Sequence, residues 1–79
     1  MLIEAQELKS GDVFIFDNKE QVAIDTISKK EDCIWVTNRK FYITKENRLK
    51  HGFCYGYSNA TVISITPYDM VDLIENIEQ

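Results

Sequence analysis

The stretch that most restricts the fold is residues 33–43, CIWVTNRKFYI. Two apolar runs flank a polar break at Asn38-Arg39, the pattern of a β-hairpin. With those two residues as the turn, Val36 faces Phe41, Trp35 faces Tyr42 and Ile34 faces Ile43. Neighbours along a strand point to opposite faces, so this register sorts the side chains into two sets. Ile34, Val36, Phe41 and Ile43 form an apolar face that predicts core. Trp35 and Tyr42 share the other face with Thr37 and Lys40. Two aromatics opposite one another beside cations make either a ligand platform or a second buried face.

The flanking segments add short strands and turns. Residues 1–7 read as an edge strand or an extended arm. Leu8-Lys9-Ser10-Gly11-Asp12 reads as a turn, since Gly11 tolerates positive φ and Asp12 can bond neighbouring backbone. Residues 13–16 are a short apolar run, expected to be a strand with both faces at least partly covered. In residues 21–27, Val22 and Ile24 share a face and Ile27 falls on the opposite phase, which predicts a bulge or sharp bend near Asp25-Thr26. Residues 29–32 form a charged turn. Beyond the hairpin, residues 44–50 are polar, with Leu49 alone expected to reach inward. Glycines frame the aromatic segment 51–57, where Phe53, Tyr55 and Tyr57 share one strand face. Residues 61–66 form a last strand with Ile63 and Ile65 inward. Thr66-Pro67-Tyr68-Asp69 then supplies a cap, a first-turn proline and an acid. Met70, Val71, Ile74 and Ile77 follow helical spacing, so a C-terminal helix over 67–77 is expected to lie against the sheet.

Together these elements predict one mostly β domain: a small, strongly bent antiparallel sheet or SH3-like barrel over 8–66, closed by the C-terminal helix. The opening Leu8-Lys9-Ser10-Gly11-Asp12-Val13-Phe14 resembles the start common in such barrels. Arg39-Lys40-Phe41, with the later Ile65-Thr66-Pro67, resembles small SH3-like β-barrel proteins of unassigned function encoded in phage genomes. The resemblance covers residues 8–72. It implies the fold and brings no catalytic residues.

Charge is distributed unevenly along the 79 residues, whose net charge is −4. Residues 38–57 hold Arg39, Lys40, Lys45, Arg48 and Lys50 against Glu46 alone, and both flanks are acidic. Such asymmetry bears on partners rather than on fold. Cys33 and Cys54 match no CxxC spacing and only His51 could join them, so they are read as two buried reduced thiols, with no metal site. No basic leader precedes an apolar run, and no stretch reaches the roughly 20 apolar residues of a membrane span, so a cytoplasmic protein without a membrane partner is expected.

Catalytic machinery is missing from the pattern. There is no GxSxG elbow, no phosphate-cradling glycine loop, and a single histidine, His51, three residues from Cys54. The chain is therefore read as non-enzymatic, with no cofactor. The candidate binding patch is Trp35, Arg39, Lys40, Tyr42, Arg48, Tyr55 and Tyr57. Trp, Tyr and Arg are enriched at the hot spots of protein interfaces, so the leading expectation is a protein-interaction module, such as a phage accessory protein that binds or inhibits a host protein. The alternative is RNA or single-stranded DNA, with cations following the backbone and rings stacking on bases. The acidic pI of about 4.8 weighs against that alternative.

Overall fold

A computed structural model describes residues 1–15, 21–52 and 62–78. In chain order these form β1 (Leu2–Glu4), one 3-10 turn (Ala5–Glu7), β2 (Asp12–Ile15), β3 (Gln21–Lys29), β4 (Ile34–Asn38), β5 (Phe41–Ile43), β6 (Leu49–His51), β7 (Val62–Ile65) and β8 (Met70–Asn76). Six strands make one antiparallel sheet in the order β1-β8-β2-β3-β4-β7, and β5 pairs with β6 alone. The mostly β expectation holds; of residues 1–7, expected as an edge strand or an extended arm, Leu2–Glu4 form β1 at the edge of the sheet, paired with β8 of the same chain.

Strand β3 turns the sheet. Its first residues pair with β2 and the remainder with β4. Register shifts between Ile24 and Thr26, leaving Asp25 unopposed, at the place the phase of Ile27 predicts. The extra residue returns Ile27 to the face of Val22 and Ile24, where all three pack together. A second shift, opposite Val13 and Phe14, leaves Ile74 of β8 unopposed.

Phe14, Val22, Ile24, Ile34, Val36, Ile65 and Val71 form the main core. The 3-10 turn and the residue after it cap this core with the fully buried Ala5 and Leu8. That covering role falls to the N-terminal segment, because residues 67–77 do not form the predicted helix. The Asp69 N–H donates to the Thr66 carbonyl (3.1 Å), and the Thr66 N–H donates to the Asp69 carboxylate (3.3 Å). Thr66-Pro67-Tyr68-Asp69 thus closes as a turn, which suits proline and a short acid as well as a helix start does. An isolated helix of about ten residues is marginal, whereas β8 lies between β1 and β2 and bonds to both.

The predicted barrel does not close. Its edge strands β1 and β7 share no ladder, and the 3-10 turn meets the β7–β8 turn instead. There the Ala5 N–H donates to the Asp69 carbonyl (2.8 Å) and the Gln6 N–H to the Pro67 carbonyl (3.0 Å).

The predicted 33–43 hairpin is also absent. Strand β4 pairs with β3 along one edge and β7 along the other, so no edge is left for β5. Asn38, expected in a turn, is buried and accepts the Ala23 N–H through its side chain at 3.3 Å. Hairpin formation moves one step along the chain, to β5–β6, around a loop where Asn47 takes φ 62. The Asn47 N–H bonds the Thr44 carbonyl (2.9 Å), and the Thr44 N–H bonds the Arg48 carbonyl (2.9 Å). Asparagine is one of the few residues that adopts this left-handed conformation readily.

The expected turn over residues 8–12 does form, with Gly11 at φ 85. Asp12 ties it to the far end of the chain. Its carboxylate accepts the Lys9 N–H (3.0 Å) and the Asn76 side-chain amide (2.8 Å), while that amide also reaches the Ser10 carbonyl (3.1 Å).

Candidate functional site

The β5–β6 hairpin has two unlike faces. Cross-strand partners are Phe41 with His51, Tyr42 with Lys50, and Ile43 with Leu49. Directly opposed residues share a face, so Tyr42 and Lys50 lie on one side and Phe41, Ile43, Leu49 and His51 on the other. Tyr42 is 5% exposed and packs against Val13 and Ala23 on the back of the main sheet. Its hydroxyl donates to Gln21 Oε1 at 3.2 Å. Burial, with the Glu75 carboxylate adding to it, holds the phenol pKa above its ordinary value. Tyr42 is therefore the anchor of the hairpin, which corrects its expected place beside Trp35.

With Tyr42 facing the sheet, the opposite face turns to solvent. Phe41 is 48%, Ile43 61% and Leu49 66% exposed, so none of these three takes the inward position expected for it. The His51 ring meets Phe41 edge-on at 4.8 Å between centroids, and Lys40 Nζ lies 5.5 Å from the centre of the Phe41 ring. The latter is a cation–π approach. Arg48 lies 3.6 Å from the Glu46 carboxylate in a largely exposed pair. Such pairs contribute little to stability and leave the cation accessible.

The remaining predicted residues divide. Trp35 is 46% exposed and points outward from β4, directly between Ser28 of β3 and Ser64 of β7. Arg39 is committed elsewhere: its Nε donates to the Ile24 carbonyl (2.9 Å) and its guanidinium pairs with Glu78. Tyr55 and Tyr57 lie outside the described residues, as does Cys54. Cys33 is only partly buried, with Sγ 2.9 Å from the Ser64 hydroxyl. Of the predicted patch, Lys40 and Arg48 thus stand on or beside the hairpin, Trp35 stands on the sheet, and Tyr42 and Arg39 act as fastenings.

Sequence reasoning missed Phe41, Ile43 and Leu49 as surface residues. A signal for them existed: Thr44-Lys45-Glu46-Asn47-Arg48 is a polar turn with an asparagine, placed between two alternating segments. Among the described residues, no group of three His, Cys, Asp or Glu side chains could hold a metal ion, and no helix is long and apolar enough to cross a membrane. No protein-family model, curated protein or solved structure matches the chain.

Proposed function

We propose that the chain is a non-enzymatic protein-interaction module that grips an acidic partner protein through the outer face of the β5–β6 hairpin. One observation carries this reading: Phe41, Ile43 and Leu49 stand side by side on that face, each about half exposed or more. Single surface hydrophobics are ordinary, whereas grouped ones mark contact surfaces. Lys40, Lys45 and Arg48 adjoin the group in sequence with only Glu46 to offset them, and this favours a negatively charged partner. The resemblance of the sequence to phage-encoded barrel proteins makes a host protein the expected class of partner, bound or inhibited by the module. Burial of Tyr42 withdraws one of the rings on which nucleic-acid stacking would depend.

The test is affinity capture from a bacterial host extract, followed by titration of the purified partner. Joint replacement Ile43→Asp and Leu49→Asp should weaken that complex by about 2 kcal/mol, roughly thirtyfold. An unchanged affinity would overturn the assignment. Tight binding of a single-stranded oligonucleotide that falls steeply between about 50 and 200 mM salt would move the function to nucleic acid.

A further inference from the structure

The outward face of β3, β4 and β7 carries two cross-strand rows. Thr26, Thr37 and Val62 form one, and Ser28, Trp35 and Ser64 form the other. Directly opposed residues share a face, and alternation turns both rows away from the buried Ile34, Val36 and Ile65. Trp35 stands above its surroundings. Its cross-strand neighbours are serines, and Cys33 and Thr37, two positions away along β4, are short as well. None of them can cover an indole, and Trp35 is 46% exposed. Among the described residues, the Ser28 hydroxyl and the indole N–H have no hydrogen-bond partner. Ser64 Oγ lies 2.9 Å from Cys33 Sγ, and a hydroxyl with one such bond keeps capacity for more. No side chain in either row is charged, in a chain where 28% of residues are. The adjoining turn balances Lys29 and Lys30 against Glu31 and Asp32, and the Lys29 ammonium is taken up by the Gln6 carbonyl (2.7 Å).

We infer that this face binds a neutral polysaccharide chain, with the C–H side of one sugar ring resting on Trp35 and ring hydroxyls bonded to Ser28 and Ser64. The face of an aromatic ring carries negative potential, which attracts the positively polarised C–H groups of a sugar. Each serine stands one strand spacing, about 5 Å, from Trp35, within reach of a ring seated there. Their hydroxyls both donate and accept, as those of a sugar do. Two other occupants fit less well. A nucleic acid would bring phosphates to rows that hold no cation, and protein interfaces are depleted in serine. An open sheet face lacks the walls that enclose a free monosaccharide, so an extended chain is the form that suits it. Neither row contains a hairpin residue, so the site stands whether or not the outer hairpin face docks a protein.

Trp35 is the one tryptophan of the chain, so indole fluorescence reports on this face alone. Titrating the full chain with cellohexaose, maltohexaose and N-acetylchitohexaose should give a saturable emission change with at least one of them. Glucose should bind at least about tenfold more weakly than that hexasaccharide. Joint replacement Ser28→Ala and Ser64→Ala keeps the fluorophore and should weaken the binding by about tenfold. Trp35→Ala, followed by calorimetry, should abolish measurable binding, and Trp35→Phe, which keeps a ring, should recover part of it. No emission change with any of the three hexasaccharides, or a change that the double serine variant leaves intact, would overturn the inference. A response to hexathymidylate alone, suppressed by salt, would overturn it in favour of nucleic acid.

Discussion

In β4, Ile34 and Val36 point into the core while the ring between them, Trp35, faces water. In β5 the arrangement is reversed: the middle ring, Tyr42, faces the sheet, and its neighbours Phe41 and Ile43 face water. Both strands alternate in the same way. The difference lies in what each is laid against. β4 sits in the interior of a sheet whose front face is filled by Phe14, Val22 and Ile65, whereas β5 rests on the back of that sheet, where Val13 and Ala23 leave a place for one large ring. Period-two alternation decides which residues share a face, and the neighbouring element decides which face is covered.

This contrast can be attacked from the core outward. Phe14→Ala empties a fully buried position, and urea unfolding should register a loss of about 3–5 kcal/mol. A cost under about 1 kcal/mol would place the true core elsewhere. Next comes Asn76→Ala, which strips the buried Asp12 carboxylate and the Ser10 carbonyl of a shared donor. Its expected cost is about 1–3 kcal/mol by the same measurement. On the hairpin the expectation inverts: Ile43→Asp should change stability by no more than about 0.5 kcal/mol, because the side chain is already in water. A core-sized penalty there would mean that something covers this face.

The smallest effect is a pH dependence that sharpens the role of Tyr42. The folded protein holds the phenolic proton more tightly than the unfolded chain, whose tyrosine titrates near its ordinary value of about 10. The stability linked to this proton is therefore complete below that value and is lost as pH rises through the higher folded one. Unfolding free energies measured above about pH 10 should decline less steeply in Tyr42→Phe than in the parent chain.

Much of the sheet could be read from residues. The positive-φ turn at Gly11, the covered run in β2, the bulge near Asp25 and the inward Ile63 and Ile65 each follow from local chemistry. Two long-range choices could not. Thr66-Pro67-Tyr68-Asp69 carries signals shared by turns and helix starts, and only the free edges of β1 and β2 decide for a strand. Asn38-Arg39 looked like a hairpin turn because nothing in residues 33–43 reveals that β7 takes the second edge of β4. The candidate site inherited that error. The hairpin register puts Trp35 and Tyr42 on one face, either a platform or a second buried face; the structure separates them, Trp35 outward and Tyr42 against the sheet, and turns Phe41, Ile43 and Leu49, expected inward, to solvent.

The unopposed Asp25 sets how this chain would respond to a change in length. Deleting that one residue would remove the bulge and make the β3–β4 pairing regular, leaving the side chains from Thr26 to Lys29 on their present sides with Ile27 still inward. A point substitution at the same place leaves the phase intact. Position 25 should therefore accept many different amino acids and its own deletion alike, so that a library scoring both kinds of change would record a tolerant letter in a dispensable slot.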